Sequence, residues 1–153
     1  MGHHEHPQLC RLIYCSEAIK PLPMESFLQI RREARDLNQR DGITGILAFG
    51  EGRFLQILEG EQETISQTYA RIILDSRHHS CKLIQFTFCA ERFFEGWTMR
   101  HLTVQQEMLE EIEFFEKFQP HLWSAERCLS FALKYTVWAR QNLSETSGAL
   151  ANA

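Results

Sequence analysis

Apolar and polar residues alternate with a period of two in several short stretches of the first hundred residues, which predicts β-strands. Apolar side chains recur every three to four residues from Met24 to Asn38, and again in a stretch that ends near His78, which predicts two helices. The order β-α-β-β-α-β-β is typical of a ferredoxin-like α+β fold, with a mixed sheet and both helices on one face. The predicted strands are residues 9–16, the end of segment 40–49, residues 54–59, residues 82–89, and a last strand with Trp97 and Met99 on the same face.

Beyond Thr103 the pattern predicts two further helices, separated at Pro120, with Ser124 as the cap of the second. Such a pair cannot bury its apolar side alone, so it must pack on the exposed sheet face, on itself or on a partner. The apolar stripes of the two helices are Met108, Ile112 and Phe115, and Cys128, Ala132 and Tyr135. We therefore expect a flexible N-terminus over residues 1–8, a sheet domain over 9–102, a helical pair over 103–142 and a disordered tail over 143–153.

Composition and charge disfavour several classes of protein. The 153-residue chain is 44% hydrophobic and 24% charged, which is typical of a globular protein. A net charge of −4 gives no reason to expect binding to nucleic acid or to an anionic membrane, and no apolar run approaches the ~20 residues of a membrane span. Five cysteines without a CxxC pair predict reduced thiols and a cytoplasmic protein, rather than disulfides or zinc. The His-rich start predicts a frayed terminus rather than a metal site.

One amide interrupts an otherwise apolar strand. In GRFLQILEG, residues 52–60, Gln56 shares a face with Phe54 and Leu58 because strand side chains alternate. A buried amide without a hydrogen-bond partner costs about 1–3 kcal/mol, so a partner is required. The first strand and this strand are expected to form the central pair of the sheet, which would place the phenol of Tyr14 beside Gln56. The pair leaves the amide with spare donors and acceptors, aimed into the gap between the helices.

Other polar residues edge the same gap. Asn38 ends the first predicted helix and would by default be only a cap. Arg71 and Asp75, at i and i+4 on the second predicted helix, would by default be a surface ion pair worth about 0.2–0.5 kcal/mol. Gly42 and Gly45 would allow the backbone to approach a ligand closely. Together these groups would suit a flat heteroaromatic ring with a polyol-phosphate tail, although the pattern alone does not choose the ligand.

Five motifs carry a resemblance to a known family. They are RLIYCS, NQRDGITGILAF, GRFLQILEGE, RIILDSRHHS and RFFEGWTM, in this order between residues 9 and 102. Together they closely resemble the BLUF family, the flavin-binding blue-light sensors of bacteria and algae. The resemblance implies that the isoalloxazine ring of FAD lies between the two helices, with FMN or riboflavin also accepted.

The resemblance also implies roles for individual residues. Tyr14 and Gln56 match the photoactive pair, in which excited flavin drives electron and proton transfer with the tyrosine and the amide then rotates or tautomerises. These two alternatives stay open. A changed hydrogen bond to a flavin carbonyl then shifts absorption to the red. Flavin-binding positions are Ile30 and Phe54 along the ring, Asn38 at its pyrimidine edge, Arg71 and Asp75 at the carbonyl side and ribityl chain, and His78 near the tail. Trp97 and Met99 match the stretch of the fifth strand that carries the signal.

Two positions depart from the family pattern. Leu37 stands where many members carry His or Asn, and Ala34 stands where many carry Ser. We expect these changes to alter photocycle lifetime or flavin binding rather than the core chemistry. Since the helical C-terminus resembles that of short members without a fused enzyme, the signal is expected to pass through the fifth strand and the C-terminal helices to a separate, unidentified partner protein. Homo-oligomerisation through those helices or the sheet is also predicted.

Two other functions remain open at this point. A small flavin-dependent oxidoreductase would use the same cofactor, but the sequence has no GxGxxG motif and no acid/base pair beyond Tyr14. A ferredoxin-like interaction module without cofactor would keep Tyr14 and Gln56 only as a satisfied core pair. The non-enzymatic sensor accounts for more of the motif residues than either alternative.

Overall fold

The computed structural model of the chain describes residues 8–97, 99–112 and 117–142. The predicted flexible N-terminus apart from Gln8, the predicted tail and Phe115 lie outside the described residues. The strands are β1 (Leu9–Ala18), β2 (Thr44–Gly50), β3 (Arg53–Glu61), β4 (His78–Phe88) and β5 (Arg100–Thr103). The helices are α1 (Met24–Asp41), α2 (Gln62–Ile73), α3 (Gln106–Glu111) and α4 (Ala125–Asn142), with a 3₁₀ turn at Pro120–Leu122.

The strands form one five-stranded sheet in the order β4-β1-β3-β2-β5. β1 pairs antiparallel with both β3 and β4, β2 pairs antiparallel with β3, and β2 pairs parallel with β5. This mixed sheet confirms the predicted ferredoxin-like α+β class. β1 and β3 are neighbours in the interior of the sheet, as the sequence predicts. Most residues of both strands are therefore buried, on both faces of the sheet.

Each face of the sheet carries its own hydrophobic core. On one face, Leu12 and Leu58 pack with apolar residues of α1 and α2, so both of these helices lie on one side as predicted. On the other face, Ile13 and Ile57 pack with residues of α3 and α4, including Phe131. Of the three places left open for the C-terminal helices, the structure thus shows the sheet face. The Ser124 hydroxyl accepts the N–H of Arg127 at 3.1 Å, which confirms Ser124 as the cap of α4.

The ends of two helices differ from the prediction. α1 continues three residues beyond Asn38, to Asp41, and Gly42 then closes it with a left-handed backbone (φ 68°). α2 ends at Ile73, several residues before the predicted end near His78. His78 is the first residue of β4 instead. Between Ile73 and His78 the sequence has no proline or glycine, so no helix-stop residue marks the true end of α2.

The prediction that Trp97 and Met99 lie on one face of the fifth strand is wrong. Both precede β5, which begins at Arg100. Met99 is buried in the core beneath α1 and α2, whereas Trp97 is half-buried against the core beneath α3 and α4. The two side chains therefore contact opposite faces of the sheet.

Gly45 permits a close approach, although not to a ligand. A Cβ atom at this position would lie 1.9 Å from the carbonyl oxygen of Ile57 on β3 and 3.3 Å from the terminal methyl of Met99. Any side chain would therefore push β2 away from its neighbour. The tight contact belongs to the sheet and to Met99, so the predicted role for Gly45 beside a ligand is replaced by one in packing.

Among the described residues, no helix combines the length and the apolar composition needed to cross a membrane.

Candidate functional site

A cavity of about 360 Å³ lies between α1 and α2, against the faces of β1 and β3. Its volume falls within the ~300–1,000 Å³ that is typical of small-molecule sites. The sheet order brings β1 and β3 side by side beneath the two helices, so residues distant in sequence meet there. The lining includes all of the residues that the sequence predicts as photoactive or flavin-binding: Tyr14, Ile30, Asn38, Phe54, Gln56, Arg71, Asp75 and His78.

Tyr14 and Gln56 face each other directly across β1 and β3. The phenol donates a hydrogen bond to Oε1 of Gln56 at 2.5 Å, and each residue is only 3% exposed. Burial raises the pKa of the Tyr14 phenol well above its ordinary value near 10, because the charged form would be desolvated. The phenol therefore keeps its proton at neutral pH and acts as the donor. This bond is the partner that the apolar strand required for its amide.

The other end of the same amide reaches the chain before β5. Nε2 of Gln56 donates to the sulfur of Met99 at 3.5 Å. A thioether is a weak acceptor, so this contact holds the amide less firmly than the phenol does. Gln56 thus joins the buried tyrosine to the segment that leads into β5.

His78 forms part of the cavity wall between three elements. Its Nε2 lies 2.6 Å from the carbonyl oxygen of Ile72 at the end of α2. A carbonyl oxygen only accepts, so Nε2 donates this bond, and in that tautomer Nδ1 accepts from the Ser16 hydroxyl at 2.7 Å. The imidazole stands edge-on to the rings of Tyr14 and Phe54, at centroid distances of 6.5 and 6.4 Å. His78 therefore lies in the cavity wall rather than at a helix end exposed to solvent.

The predicted ion pair between Arg71 and Asp75 is replaced by two others. Asp75 follows the end of α2, so it does not share a helical face with Arg71. The Asp75 carboxylate instead accepts hydrogen bonds from Nε of Arg77 at 2.9 Å, from a terminal nitrogen of Arg77 at 2.5 Å and from the Arg77 backbone N–H at 2.9 Å. These hydrogen bonds lower the pKa of the Asp75 carboxyl. Arg77 also donates to Glu33 of α1 at 2.6 Å, which links the two sides of the cavity mouth. The nearest carboxylate to Arg71 is that of Asp41, at 3.8 Å.

Asn38 both caps α1 and lines the cavity. Its carbonyl oxygen accepts the N–H of Ile43 at 2.9 Å beyond the helix end. Its side chain, on a residue only 3% exposed, lies in the cavity wall. The cap is therefore a property of the backbone, and the amide remains available to a ligand.

Sequence reasoning missed three polar residues of the cavity, Glu33, Thr68 and Arg77. Thr68 on α2 is 4% exposed, and its hydroxyl has no hydrogen-bond partner among the described residues. Its spacing from Arg71 and Ile72, at i+3 and i+4, would have placed it on the cavity face of the helix. Arg77 carries no such signal, because its partner Glu33 lies 44 residues away.

These groups fit a flavin. The buried, unpartnered hydroxyl of Thr68 calls for a polar ligand atom in the cavity, and the amides of Asn38 and Gln56 offer further donors and acceptors to the edge of a heteroaromatic ring. Ile30, Phe54 and Ile72 supply apolar contact for its faces. Arg71 and Arg77 supply positive charge near the mouth.

Comparison with protein-family models matches residues 9–100 to BLUF, described as sensors of blue-light using FAD. Two curated relatives illustrate the range of proteins that contain such a region. The photoactivated adenylate cyclase subunit beta of Euglena gracilis is 31% identical over 101 residues, which is 65% of this chain and 12% of that protein. The blue light- and temperature-regulated antirepressor BluF of Escherichia coli (strain K12) is 33% identical over 72 residues, 47% of this chain and 18% of that protein. The chain thus spans only a small part of the length of these relatives.

Solved structures of short proteins match over most of their length. BlrB, a BLUF protein in its dark state, is 25% identical, with a TM-score of 0.70 over 85% of this chain and 98% of that one. BlsA in its photo-activated state is 29% identical, with a TM-score of 0.69 over 81% of this chain and 91% of that one. The fold and the sequence motifs therefore agree. The chain belongs to the BLUF family, the sensors of blue light that use FAD as their cofactor.

Proposed function

We propose that this chain is a blue-light photoreceptor whose response begins at the hydrogen bond between Tyr14 and Gln56. One observation carries the proposal: this bond is buried at the base of a cavity between α1 and α2, and the cavity is lined by groups that fit a flavin. The Gln56 amide in this bond also donates, through Nε2, to the sulfur of Met99 in the segment that leads into β5.

The cavity residues would hold FAD as follows. Ile30 and Phe54 would contact the ring, and the Asn38 amide would hydrogen-bond its pyrimidine edge. Arg71, Asp75 and His78 would bind the carbonyl side, the ribityl chain and the tail. FMN would also be accepted. In support of this, BlrP1 of Klebsiella pneumoniae, a solved structure that is 32% identical to this chain, is described with FMN.

When bound and excited by blue light, the flavin supplies an oxidant strong enough to draw an electron from a phenol. The hydroxyl of Tyr14, in the cavity wall, already donates a hydrogen bond to Oε1 of Gln56. Loss of an electron makes that proton far more acidic, so it moves along the existing bond. Gln56 can take this role because its amide both donates and accepts hydrogen bonds. Rotation or tautomerisation of the amide would follow, and return of the electron and the proton to Tyr14 would restore the phenol. The lasting change would then be in the hydrogen bonds that the amide presents to the cavity and to Met99.

The signal would leave the site through Met99. A rotated amide would turn Nε2 away from the Met99 sulfur, and a tautomerised amide would keep only one hydrogen on Nε2. Either change would alter the contact of Gln56 with Met99 and the packing of Met99 against Gly45. β5 begins at the residue after Met99 and pairs with β2. On the opposite face of the sheet lies the core beneath α3 and α4. Two alternative packings of this region would bias the C-terminal helices.

The output of the chain is a separate protein partner in this proposal, and the chain itself performs no enzymatic reaction. Homo-oligomerisation through the C-terminal helices or the sheet would accompany signalling. A cytoplasmic location is also part of the proposal. All five cysteines are free in the structure, and reduced thiols are typical of cytoplasmic proteins.

The experiment is a light-minus-dark absorption spectrum of the FAD-loaded protein. We expect the flavin bands to shift to the red under blue light and to return in the dark without added reductant. Steady turnover of a substrate in the dark, without a reversible shift, would identify a flavoenzyme instead. Colourless protein that is unchanged by added FAD would identify an interaction module without cofactor.

A further inference from the structure

Glu59 is a fully buried acid that the light response described above does not use. It lies on β3 three residues after Gln56, and its side chain is on the opposite face of the strand because side chains alternate. It is 0% exposed. A buried carboxylate requires several partners, because the cost of removing it from water is otherwise not offset.

The carboxylate of Glu59 meets this requirement with two kinds of partner. Arg11, its direct partner across β1 and β3, donates through Nε and a terminal nitrogen at 2.9 and 2.8 Å. The backbone N–H groups of Phe93 and Phe94 donate at 2.9 and 2.8 Å. The carboxylate therefore ties the connection between β4 and β5 to the centre of the sheet.

Further contacts fix the same part of this connection. The guanidinium of Arg11 lies 4.0 Å from the ring centroid of Phe93 and donates to the carbonyl of Glu91 at 3.2 Å. Arg92 donates to the carbonyl of Glu59 and to the Thr44 hydroxyl, at 2.9 and 2.8 Å. Residues 91–94 are thus held by charge-assisted hydrogen bonds, the stronger class of such bonds.

Trp97 is attached to the end of this fixed stretch. Its N–H donates to the carbonyl of Phe94 at 3.0 Å, and its carbonyl accepts the N–H of Gly45 at 3.0 Å. The Phe94 ring, 2% exposed, lies 6.1 Å from the indole. Trp97 is therefore two hydrogen-bond steps from the Glu59 carboxylate.

We infer that Glu59 is a positioning residue: its carboxylate, held by Arg11, anchors Phe93 and Phe94 so that a rearrangement at Gln56 and Met99 is delivered to β5. A buried ion pair is often no more stabilising than apolar residues of equal volume, so stability alone does not explain a carboxylate here. The carboxylate instead holds the backbone of Phe93 and Phe94 in place. With residues 91–94 held, a displacement at Met99 is not absorbed in that part of the connection to β4 and acts on Trp97 and β5 instead. This inference rests on the proposed light response.

The test is Glu59→Gln in the full-length, FAD-loaded protein, with amide hydrogen exchange measured by NMR in darkness and under blue light. The amide side chain keeps the size of the acid but loses its charge and one acceptor oxygen. In the dark, we expect the N–H groups of Phe93 and Phe94 to exchange at least tenfold faster than in the wild type. Under light, we expect an unchanged flavin red shift, but less than half of the wild-type change in exchange over Arg100–Thr103.

Three variants serve as controls. Ile43→Val removes a methyl group from a buried residue that is not part of the anchor, and it reports the effect of lost stability alone. Glu17→Gln neutralises a half-buried acid of β1 whose carboxylate lies 3.8 Å from the guanidinium of Arg53. Both should keep the full light-induced change at β5. Arg11→Lys keeps the positive charge but loses the two-nitrogen contact with Glu59. It should therefore show the effects of Glu59→Gln in weaker form. If Glu59→Gln does not fold, Arg11→Lys takes its place in the test.

The outcomes separate the inference from the proposed function. Protected Phe93 and Phe94 amides in Glu59→Gln, or a full change at β5, would overturn the positioning role. An equal loss at β5 in Ile43→Val would also overturn it, because stability would then be the cause. Absence of a red shift in the wild type would instead remove the proposed light response, and with it the inference.

Discussion

The Tyr14 hydroxyl donates to Oε1 of Gln56 at 2.5 Å, between residues that are direct register partners on β1 and β3. The other end of the amide donates to the sulfur of Met99 at 3.5 Å. A single buried side chain therefore contacts both the phenol and the segment that enters β5. In the proposed light response, this amide would couple the chemistry at Tyr14 to the output at β5, so both can be tested by simple substitutions.

Replacing Gln56 by Leu should leave flavin bound and abolish the light-induced red shift. The apolar walls of the cavity remain, but the group that rearranges is gone. The measurement is the light-minus-dark absorption spectrum at equal flavin occupancy. Gln85→Leu, on β4 outside the cavity, is the matched control and should retain the shift. A full red shift in Gln56→Leu would contradict the proposed role of the amide.

Replacing Tyr14 by Phe should suppress the red shift to a comparable degree, because the ring is kept while the donor hydroxyl is lost. Tyr69→Phe is an informative control, since the Tyr69 ring lies only 5.3 Å from that of Tyr14 but does not line the cavity. Its shift should be close to that of the wild type. Equal losses in the two variants would show that the identity of the buried phenol is not what matters.

Replacing Thr68 by Val should weaken FAD binding between about two- and tenfold, the cost of one neutral hydrogen bond of roughly 0.5–1.5 kcal/mol. The shape is retained, and the hydroxyl has no partner in the described protein that would be lost. Titration of the flavin-free protein with FAD, followed by quenching of flavin fluorescence, measures the effect. Thr136→Val, whose hydroxyl bonds to Ala132 within α4, should leave the affinity unchanged.

Replacing Leu37 by Asn should restore a polar group to the cavity wall, because Leu37 lines the cavity. We expect a changed rate of dark recovery with the red shift retained. Leu28→Asn, on the same helix outside the cavity, is the control. Identical recovery in Leu37→Asn and the wild type would remove position 37 from the residues that tune the photocycle.

The raised pKa of Tyr14 predicts the pH dependence of the response. The phenol stays protonated up to and beyond its ordinary pKa of about 10, so the amplitude of the red shift should be constant between about pH 7 and pH 10. The pKa of the Tyr14 phenol is higher in the folded than in the unfolded state. The contribution of this protonated phenol to the free energy of unfolding is therefore complete below pH ~10, and it is lost as the pH rises through the pKa of the folded state. Loss of the shift near neutral pH would show that the phenol is not the buried donor described here.

The sequence predicts the sheet and the cavity well, for physical reasons. Alternation in β1 and β3 places Tyr14 and Gln56 on the helix-covered face, and the order of elements leaves few sheet topologies. Once β1 and β3 are neighbours, Asn38 and Arg71 are brought to the same gap by the helices above them. Local pattern and topology together therefore bring Tyr14, Gln56, Asn38 and Arg71 to one cavity, but they do not identify Thr68 or Arg77 as part of it.

What the sequence does not predict depends on irregular backbone and on distant partners. The pattern of period two placed Trp97 and Met99 on one face, but both precede β5 and contact opposite faces of the sheet. Helical spacing assigned Asp75 to Arg71, whereas the end of α2 at Ile73 frees Asp75 to bind Arg77. The partners of Glu59 lie on β1 and in the connection before β5, at separations that no local pattern reports.

The most direct test of the account is the light-minus-dark infrared difference spectrum of the FAD-loaded protein, in the region of the flavin carbonyl stretches. The account predicts a reversible shift of a flavin carbonyl band to lower frequency, caused by a new or stronger hydrogen bond, in the wild type and not in Gln56→Leu. Unshifted carbonyl bands in the illuminated wild type, or the same shift in both proteins, would contradict it.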